Sequence, residues 1–380
     1  MEKELLKAAL NDCVAITRKN IKVFKDKFPN ACSENQLYKA IDNTHWTNGF
    51  YTGILWLCYE YTKEEIFKET ALEHVKSFKN RLDNNIELET HDLGFLYSLS
   101  CVAGYKLTGD ETSKTAALQA ADLLKRRYRE KGGFIQAWGP LDAKDNYRLI
   151  IDCLLNLPLL YWAAEVTGDQ SYYQTAYTHA QTALKYVIRE DHSTFHTYFF
   201  DKETGEPSHG ATCQGYNDIS AWARGQAWGI YGTALSYTFT KDPKFIEDFF
   251  KVTQYFEQNL PTDFVPYWDL IFKEGDEPRD SSAAAIAICG IDEMKKYLTG
   301  IQEIEELGSF SEKMMESLIQ NYSAKPEDKT HGFIYHSTYS KKTPYNTCTP
   351  EGVDECVIWG DYFYMEALMR GLDKTWQMYW

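Results

Sequence analysis

Leu107-Thr108-Gly109-Asp110 recurs later in the chain as Val166-Thr167-Gly168-Asp169. Each follows an apolar stretch rich in small and aromatic residues, and each precedes an amphipathic, more charged one. Thr-Gly-Asp suits a helix stop followed at once by a helix start. Glycine takes the left-handed position just past the first helix, and aspartate caps the next. Tyr61-Thr62-Lys63-Glu64 and Phe239-Thr240-Lys241-Asp242 read as variants of the same turn. The chain is therefore a degenerate repeat of helical hairpins.

Working outward from these turns, the more apolar helices are expected at Thr47–Tyr61, Asp92–Leu107, Arg148–Val166, Ala221–Phe239, Ser281–Leu298 and Asp361–Leu372. Small residues such as Gly229, Gly232, Ala283 and Ala284 would let these helices crowd together as an inner ring. The charged partners are expected at Glu2–Phe28, Lys63–Arg81, Glu111–Arg129, Ser171–Arg189, Pro243–Asn259 and Ile304–Tyr322. Their solvated faces fit an outer ring. The first outer helix would pair with the last inner one. The expected fold class is all-α: a closed (α/α)6 barrel, or six-hairpin toroid, with an open helical solenoid as the alternative. His196 to Asp201 alternates like a short strand. Ser323 to Val357 is a long polar insertion with Pro326, Pro344 and Pro350, the kind of loop that often carries function. No linker-like tract divides the chain, so residues 1–380 read as one catalytic domain.

Composition narrows the function. The 380 residues are 44% hydrophobic, enough for a large core, and the net charge of -15 argues against nucleic acid as a partner. Ten Trp and 27 Tyr are suited to stacking on sugar rings, although large helical cores also use aromatics. Nine cysteines at scattered spacings form no C-x-x-C pair. The N-terminus lacks a signal-peptide core, and no apolar run is long enough to span a membrane. A reduced, cytoplasmic protein without membrane partners is expected, monomeric or homodimeric. The histidines are scattered, with no H-E-x-x-H or similar pairing, so no metal is expected.

Two carboxylates stand out. Asp152 lies in Leu149-Ile150-Ile151-Asp152-Cys153-Leu154-Leu155. Burial disfavours the charged form, so this carboxyl should hold a proton near neutral pH and could donate it. Asp92, in His91-Asp92-Leu93-Gly94-Phe95, sits at a helix start, where the dipole favours the ionised form. Each could equally be a satisfied structural carboxylate. In a closed ring, however, inner-helix starts converge on one cleft. Those starts carry Trp46, His91 with Asp92, Arg224 with Trp228, Arg279 with Asp280, and Trp359 with Asp361, with Asp152 slightly further in. Aromatic faces, carboxylates and arginines together suit an acidic sugar.

These segments carry a specific resemblance. Asp42-Asn43-Thr44-His45-Trp46-Thr47-Asn48-Gly49-Phe50, His91-Asp92-Leu93-Gly94-Phe95, Ile135-Gln136-Ala137-Trp138-Gly139 and Leu149 to Asn156 resemble the unsaturated glucuronyl hydrolases of glycoside hydrolase family 88. Trp222-Ala223-Arg224-Gly225-Gln226-Ala227-Trp228-Gly229, Arg279-Asp280-Ser281-Ser282-Ala283 and Ile358-Trp359-Gly360-Asp361-Tyr362 continue the likeness in order. The resemblance implies an (α/α)6 barrel acting without cofactor on unsaturated glycosaminoglycan oligosaccharides left by polysaccharide lyases. It implies hydration of the C4=C5 vinyl ether of the terminal 4,5-unsaturated glucuronate, with Asp152 as general acid/base and Asp92 as its partner. It further implies that Trp46, Trp138 and Trp228 enclose the sugars, and that His91, His196, Gln214 and Arg224 hold hydroxyls and the uronate. Ser337-Thr338-Tyr339-Ser340-Lys341-Lys342 contains S-x-x-S-x-K, a pattern resembling members that prefer a 6-sulfated hexosamine. On that basis Ser337, Ser340 and Lys342 are expected to hold the sulfate. The competing readings are an unsaturated rhamnogalacturonyl hydrolase, an α/α-barrel sugar isomerase or epimerase, and a non-catalytic sugar-binding barrel.

Overall fold

The Thr-Gly-Asp turns do what their residues dictate. The computed structural model describes residues 2–143 and 145–380. Gly109 and Gly168 take positive φ values of 72° and 78° just past their helices. Asp110 then accepts a hydrogen bond from the Ser113 amide, and Asp169 from that of Ser171. In the variant turns, Lys63 and Lys241 occupy the same left-handed position.

These four turns join four helical hairpins. Helices α1 (Lys3–Phe24), α2 (Asn48–Thr62) and α3 (Glu65–Asp83) come first. The next rod is composite: α4 (Leu93–Tyr97), a π-helical turn at Ser98–Val102 and α5 (Ala103–Thr108). Then follow α6 (Glu111–Arg126), α7 (Pro158–Thr167), α8 (Gln170–Val187), α9 (Ala223–Thr240), α10 (Lys244–Gln258), α11 (Ser281–Lys295), α12 (Gln302–Ser317) and α13 (Ile358–Leu372). Helix α11 makes a fifth hairpin with α12, and α13 a sixth with α1. Helices α2, α4, α7, α9, α11 and α13 touch in sequence, and α13 returns to α2. Helices α3, α6, α8, α10 and α12 pack outside their partners, and α1 lies against α13 and α2. The result is the closed (α/α)6 toroid, with the first outer helix closing it.

Burial follows that layering. All residues of α9 from Ala223 to Ser236 are buried, as are those of α11 from Ser281 to Ile291. Outer helices bury one face only, as α6 does with Ala116, Ala117, Ala120 and Leu124. Trp380 plugs one end of the barrel, stacked on Phe363 at 5.7 Å with its indole N–H on Glu366. The nine cysteines are unpaired, and none of the described helices is long and apolar enough to cross a membrane.

The ring opens where helices give way to strands. The helix expected over Arg148–Val166 forms only from Pro158. Strand β5 (Arg148–Ile150) precedes it, then a 3-10 turn at Ile151–Leu155. Two small hairpins come earlier, β1 (Phe28–Pro29) with β2 (Ala40–Ile41) and β3 (Tyr128–Arg129) with β4 (Phe134–Ile135). Strand β5 pairs antiparallel with β6 (Thr197–Phe200), which pairs with β7 (Pro207–Ala211). The short strand expected at His196 to Asp201 is thus the centre of a three-stranded sheet. The expected helix over Glu2–Phe28 ends at Phe24 because Lys25 leaves helical geometry and Phe28 enters β1.

Candidate active site

One turn of helix and one close approach bring the two carboxyls together. Gly94 lies so near Asn156 that a Cβ there would sit 2.3 Å from the Asn156 Cα. The Asn156 side chain accepts the Phe95 amide hydrogen at 2.7 Å. This clamps the start of α4, with Asp92 just before it, against the 3-10 turn that carries Asp152. Gly94→Ala is expected to cost about 1–3 kcal/mol through overpacking. It should also lower turnover by roughly 10²-fold by spreading the carboxyls apart. Thermal unfolding and initial rates check both effects, and wild-type rates would contradict the clamp.

His91 stands between the two acids. Its Nε2 is 3.4 Å from Asp92 Oδ1 and 3.4 Å from Asp152 Oδ1. The ring is fully buried and neither nitrogen has a hydrogen-bond partner among the described residues. Burial, then the nearby Arg127 charge, hold this imidazole well below the usual histidine range, so it is neutral. Asp152 is raised well above the usual carboxyl range by burial and by the negative charge of Asp92. Asp92 is also raised by burial, but the Thr90 hydroxyl donates to its Oδ2 at 2.6 Å, and Arg127 and Arg81 favour its charge. The pair therefore shares one proton near neutrality, held on Asp152, with the charge on Asp92. One ligand atom from each of His91, Asp92 and Asp152 lies within 4.8 Å of the others, a spacing that a divalent cation would also fit.

Both acids open on a cavity of about 460 Å³ lined by Thr44, His45, Trp46, Thr90, Asp92, Trp138, Ile150, Asp152, His196, Gln214 and Tyr339, among others. Trp46 is stacked on Trp359 and its indole N–H bonds the Tyr339 hydroxyl. His196 Nδ1 accepts the amide hydrogens of Cys213 and Gln214, so a neutral ring carries its proton on Nε2 as a donor. Burial pushes that imidazole down to about 3. Gln214 Oε1 is taken by Arg224, which leaves its amide NH2 for a ligand.

Of the residues expected from sequence, Trp46, Asp92, Trp138, Asp152, His196 and Gln214 meet in this cavity. His91 lies behind the carboxyls and has no exposed surface to offer a sugar. Arg224 likewise lies behind the cavity wall. It is 2% exposed, and its terminal N–H groups bond Asp280, Thr338 O, Gln214 and Tyr339 O. Through Gln214 and Tyr339 it anchors the cavity wall. Trp228 sits one helical turn deeper than Arg224 and packs on Phe95 and Phe363 in the core. The Ser337 hydroxyl shares a hydrogen bond with Ser281, and that of Ser340 donates to Thr349 O. Lys342 is exposed and donates to Asn346 O, outside the cavity lining. The residue of that segment which enters the cavity is Tyr339; its motif had drawn attention only to the serines and lysine. Thr90 and Asn156 were also missed, since one hydroxyl and one amide carry no distinctive spacing.

The sequence matches the model of Glycosyl Hydrolase Family 88 over residues 20–356. It is 47% identical to the unsaturated chondroitin disaccharide hydrolase of Streptococcus pneumoniae, with 100% of this chain and 95% of that protein aligned. The crystal structure of unsaturated glucuronyl hydrolase from Streptococcus agalactiae superposes with a TM-score of 0.96 at 48% identity, covering 100% of this chain and 94% of that one. A mutant of that enzyme complexed with dGlcA-GalNAc6S matches with a TM-score of 0.88 at 44% identity, over 100% of this chain and 94% of the other.

Proposed function

This chain belongs to glycosyl hydrolase family 88 as an unsaturated glucuronyl hydrolase, and from that premise we propose that it releases 4,5-unsaturated glucuronate from lyase-generated chondroitin and hyaluronan disaccharides by hydrating the C4=C5 bond. The observation that carries this reading is the meeting of Asp152 and Asp92 across buried His91 at an aromatic-walled cavity. All of residues 1–380 serve as one catalytic domain, since the cavity draws on segments from Thr44 to Tyr339.

Asp152 donates its proton to C4 of the vinyl ether. Positive charge develops at C5 and spreads onto the ring oxygen, where the charge of Asp92 favours it. The ionised Asp152 then takes a proton from water, whose oxygen adds at C5. The hemiketal opens and expels the aglycone, a net addition of one water. Trp46 and Trp138 flank the sugar. His196 Nε2–H, the Gln214 amide and the Tyr339 hydroxyl supply neutral donors to the uronate and hydroxyls. His91 backs both acids, and Arg224 fixes Gln214 and Tyr339.

The test is loss of the double bond's ultraviolet absorbance on an unsaturated chondroitin disaccharide, with an unsaturated rhamnogalacturonan disaccharide in parallel. Turnover of the pectin-derived substrate alone would overturn the reading. The pH profile follows from the signs above. Asp92 ionises as pH rises through about 6, so kcat/KM should climb there, then fall at higher pH as Asp152 loses its proton. Asp92→Asn should remove the acid limb, and EDTA should leave the rate unchanged. A flat profile or chelator inactivation would count against acid–base chemistry at this pair.

A 6-sulfate on the hexosamine is the preferred decoration. Support comes from the S-x-x-S-x-K segment and from the relative solved with dGlcA-GalNAc6S. Ser340 already donates its proton to Thr349 O, so a sulfate would have to draw that hydroxyl away. Ser340→Gly should therefore lower the sulfated-to-unsulfated ratio of kcat/KM several-fold. An unchanged ratio would remove Ser340 from sulfate recognition.

A further inference from the structure

Strand β5 points Ile150 into the cavity, and residues two apart on a strand share a face. Arg148 is therefore on the face that runs up out of the cavity. Its cross-strand neighbour is Phe199, whose own neighbour on β7 is His209. The three side chains form a ladder across the sheet. The Arg148 guanidinium lies 4.4 Å from the ring of Trp138, which lines the cavity, and 5.1 Å from the ring of Phe199. Phe199 in turn stacks on His209 at 4.9 Å with an interplanar angle of 11°. The strip begins at the catalytic cavity and ends at an exposed histidine.

Its charge is unspent. Arg148 gives its Nε–H to Asn146 Oδ1 at 2.8 Å, and no carboxylate pairs with it among the described residues. Arg81, which lines the cavity, and Arg224 and Arg127, which lie behind its walls, have N–H groups committed to protein acceptors. In a chain of net charge -15, an unpaired guanidinium held between two rings beside an acidic site is placed for an anion from outside.

We propose that Trp138, Arg148, Phe199 and His209 form an extended subsite for the reducing-side residues of acidic glycan tetrasaccharides, with rings carrying sugar faces and Arg148 pairing with a uronate or sulfate. This rests on the substrate reading above and adds length selectivity to it. Two features select this occupant: continuity of the strip with the cavity through Trp138, and a guanidinium with no carboxylate partner among the described residues.

The test is calorimetric titration of the Asp152→Asn protein, which should hold substrate without consuming it. The probes are the unsaturated chondroitin 6-sulfate disaccharide and tetrasaccharide. The tetrasaccharide should bind about tenfold more tightly. Arg148→Gln in the same background should abolish that advantage, and His209→Ala, at an exposed position, should reduce it two- to threefold. Equal affinity for both probes, or an advantage that survives both substitutions, overturns the proposal while leaving disaccharide binding intact. If neither probe binds, the substrate reading itself fails and takes the strip's ligand with it.

Discussion

Asp152→Asn is expected to lower kcat on unsaturated chondroitin disaccharide by about 10³–10⁴-fold, with KM changed less than about threefold. The size follows from its double duty, as proton donor to C4 and then as base toward water. Asparagine keeps the shape and can still hydrogen-bond, so binding should survive. The fold should not suffer. A carboxyl whose folded-state pKa is raised binds more protons when folded than when unfolded, so its contribution to stability falls as pH rises. Burial and the Asp92 charge raise Asp152 in this way. At pH 8 the amide should therefore melt no lower than wild type, and by the same logic somewhat higher. Loss of activity together with a lower melting temperature would point to a structural carboxyl instead.

Arg224→Leu is expected to cost about 3–5 kcal/mol of stability, because it strands a buried charge. Asp280 is fully buried and pairs with Arg224 at 2.6 Å. Burial raises its pKa, with Arg224 the foremost opposing influence. Removing the guanidinium also frees the carbonyls of Thr338 and Tyr339 and the side chain of Gln214. Activity should fall with stability, as two cavity walls lose their common anchor. Adding Asp280→Asn should recover part of the stability but little activity, since the lost fork also positioned Gln214 and Tyr339. Denaturant unfolding of the two singles and the double gives the coupling. Additive costs would mean that the pair is not the unit described.

The ring was legible because its punctuation is local. Gly109 and Gly168 need positive φ, and Asp110 and Asp169 cap in place, so a few residues decide each turn. The site was half legible. Asp152 is a charge in an apolar run, yet the run's pattern predicts helix, whereas Arg148–Ile150 is strand and Ile151–Leu155 a 3-10 turn. An unbroken apolar stretch has no period to separate the two. Pro158 at the first turn of α7 marks where the helix starts. Arg224 and Trp228 were expected at the sugar because they sit near a helix start. The start of α9 lies deep enough that Arg224 supports the wall and Trp228 belongs to the core. Depth along a barrel axis is set by packing between distant helices, and no local spacing encodes it. Tyr339 was hidden for a related reason: alternation along an irregular loop selects which side chain enters the cavity.

The central claim is that Asp152 protonates C4 of the unsaturated uronate. The most direct measurement is turnover in D₂O with rapid quenching and mass and NMR analysis of the released sugar. The account predicts one deuterium at C4, delivered to a single face, with loss of double-bond absorbance keeping step with aglycone release. Aglycone released ahead of the absorbance loss, with C4 unlabelled in the earliest quench, would contradict it.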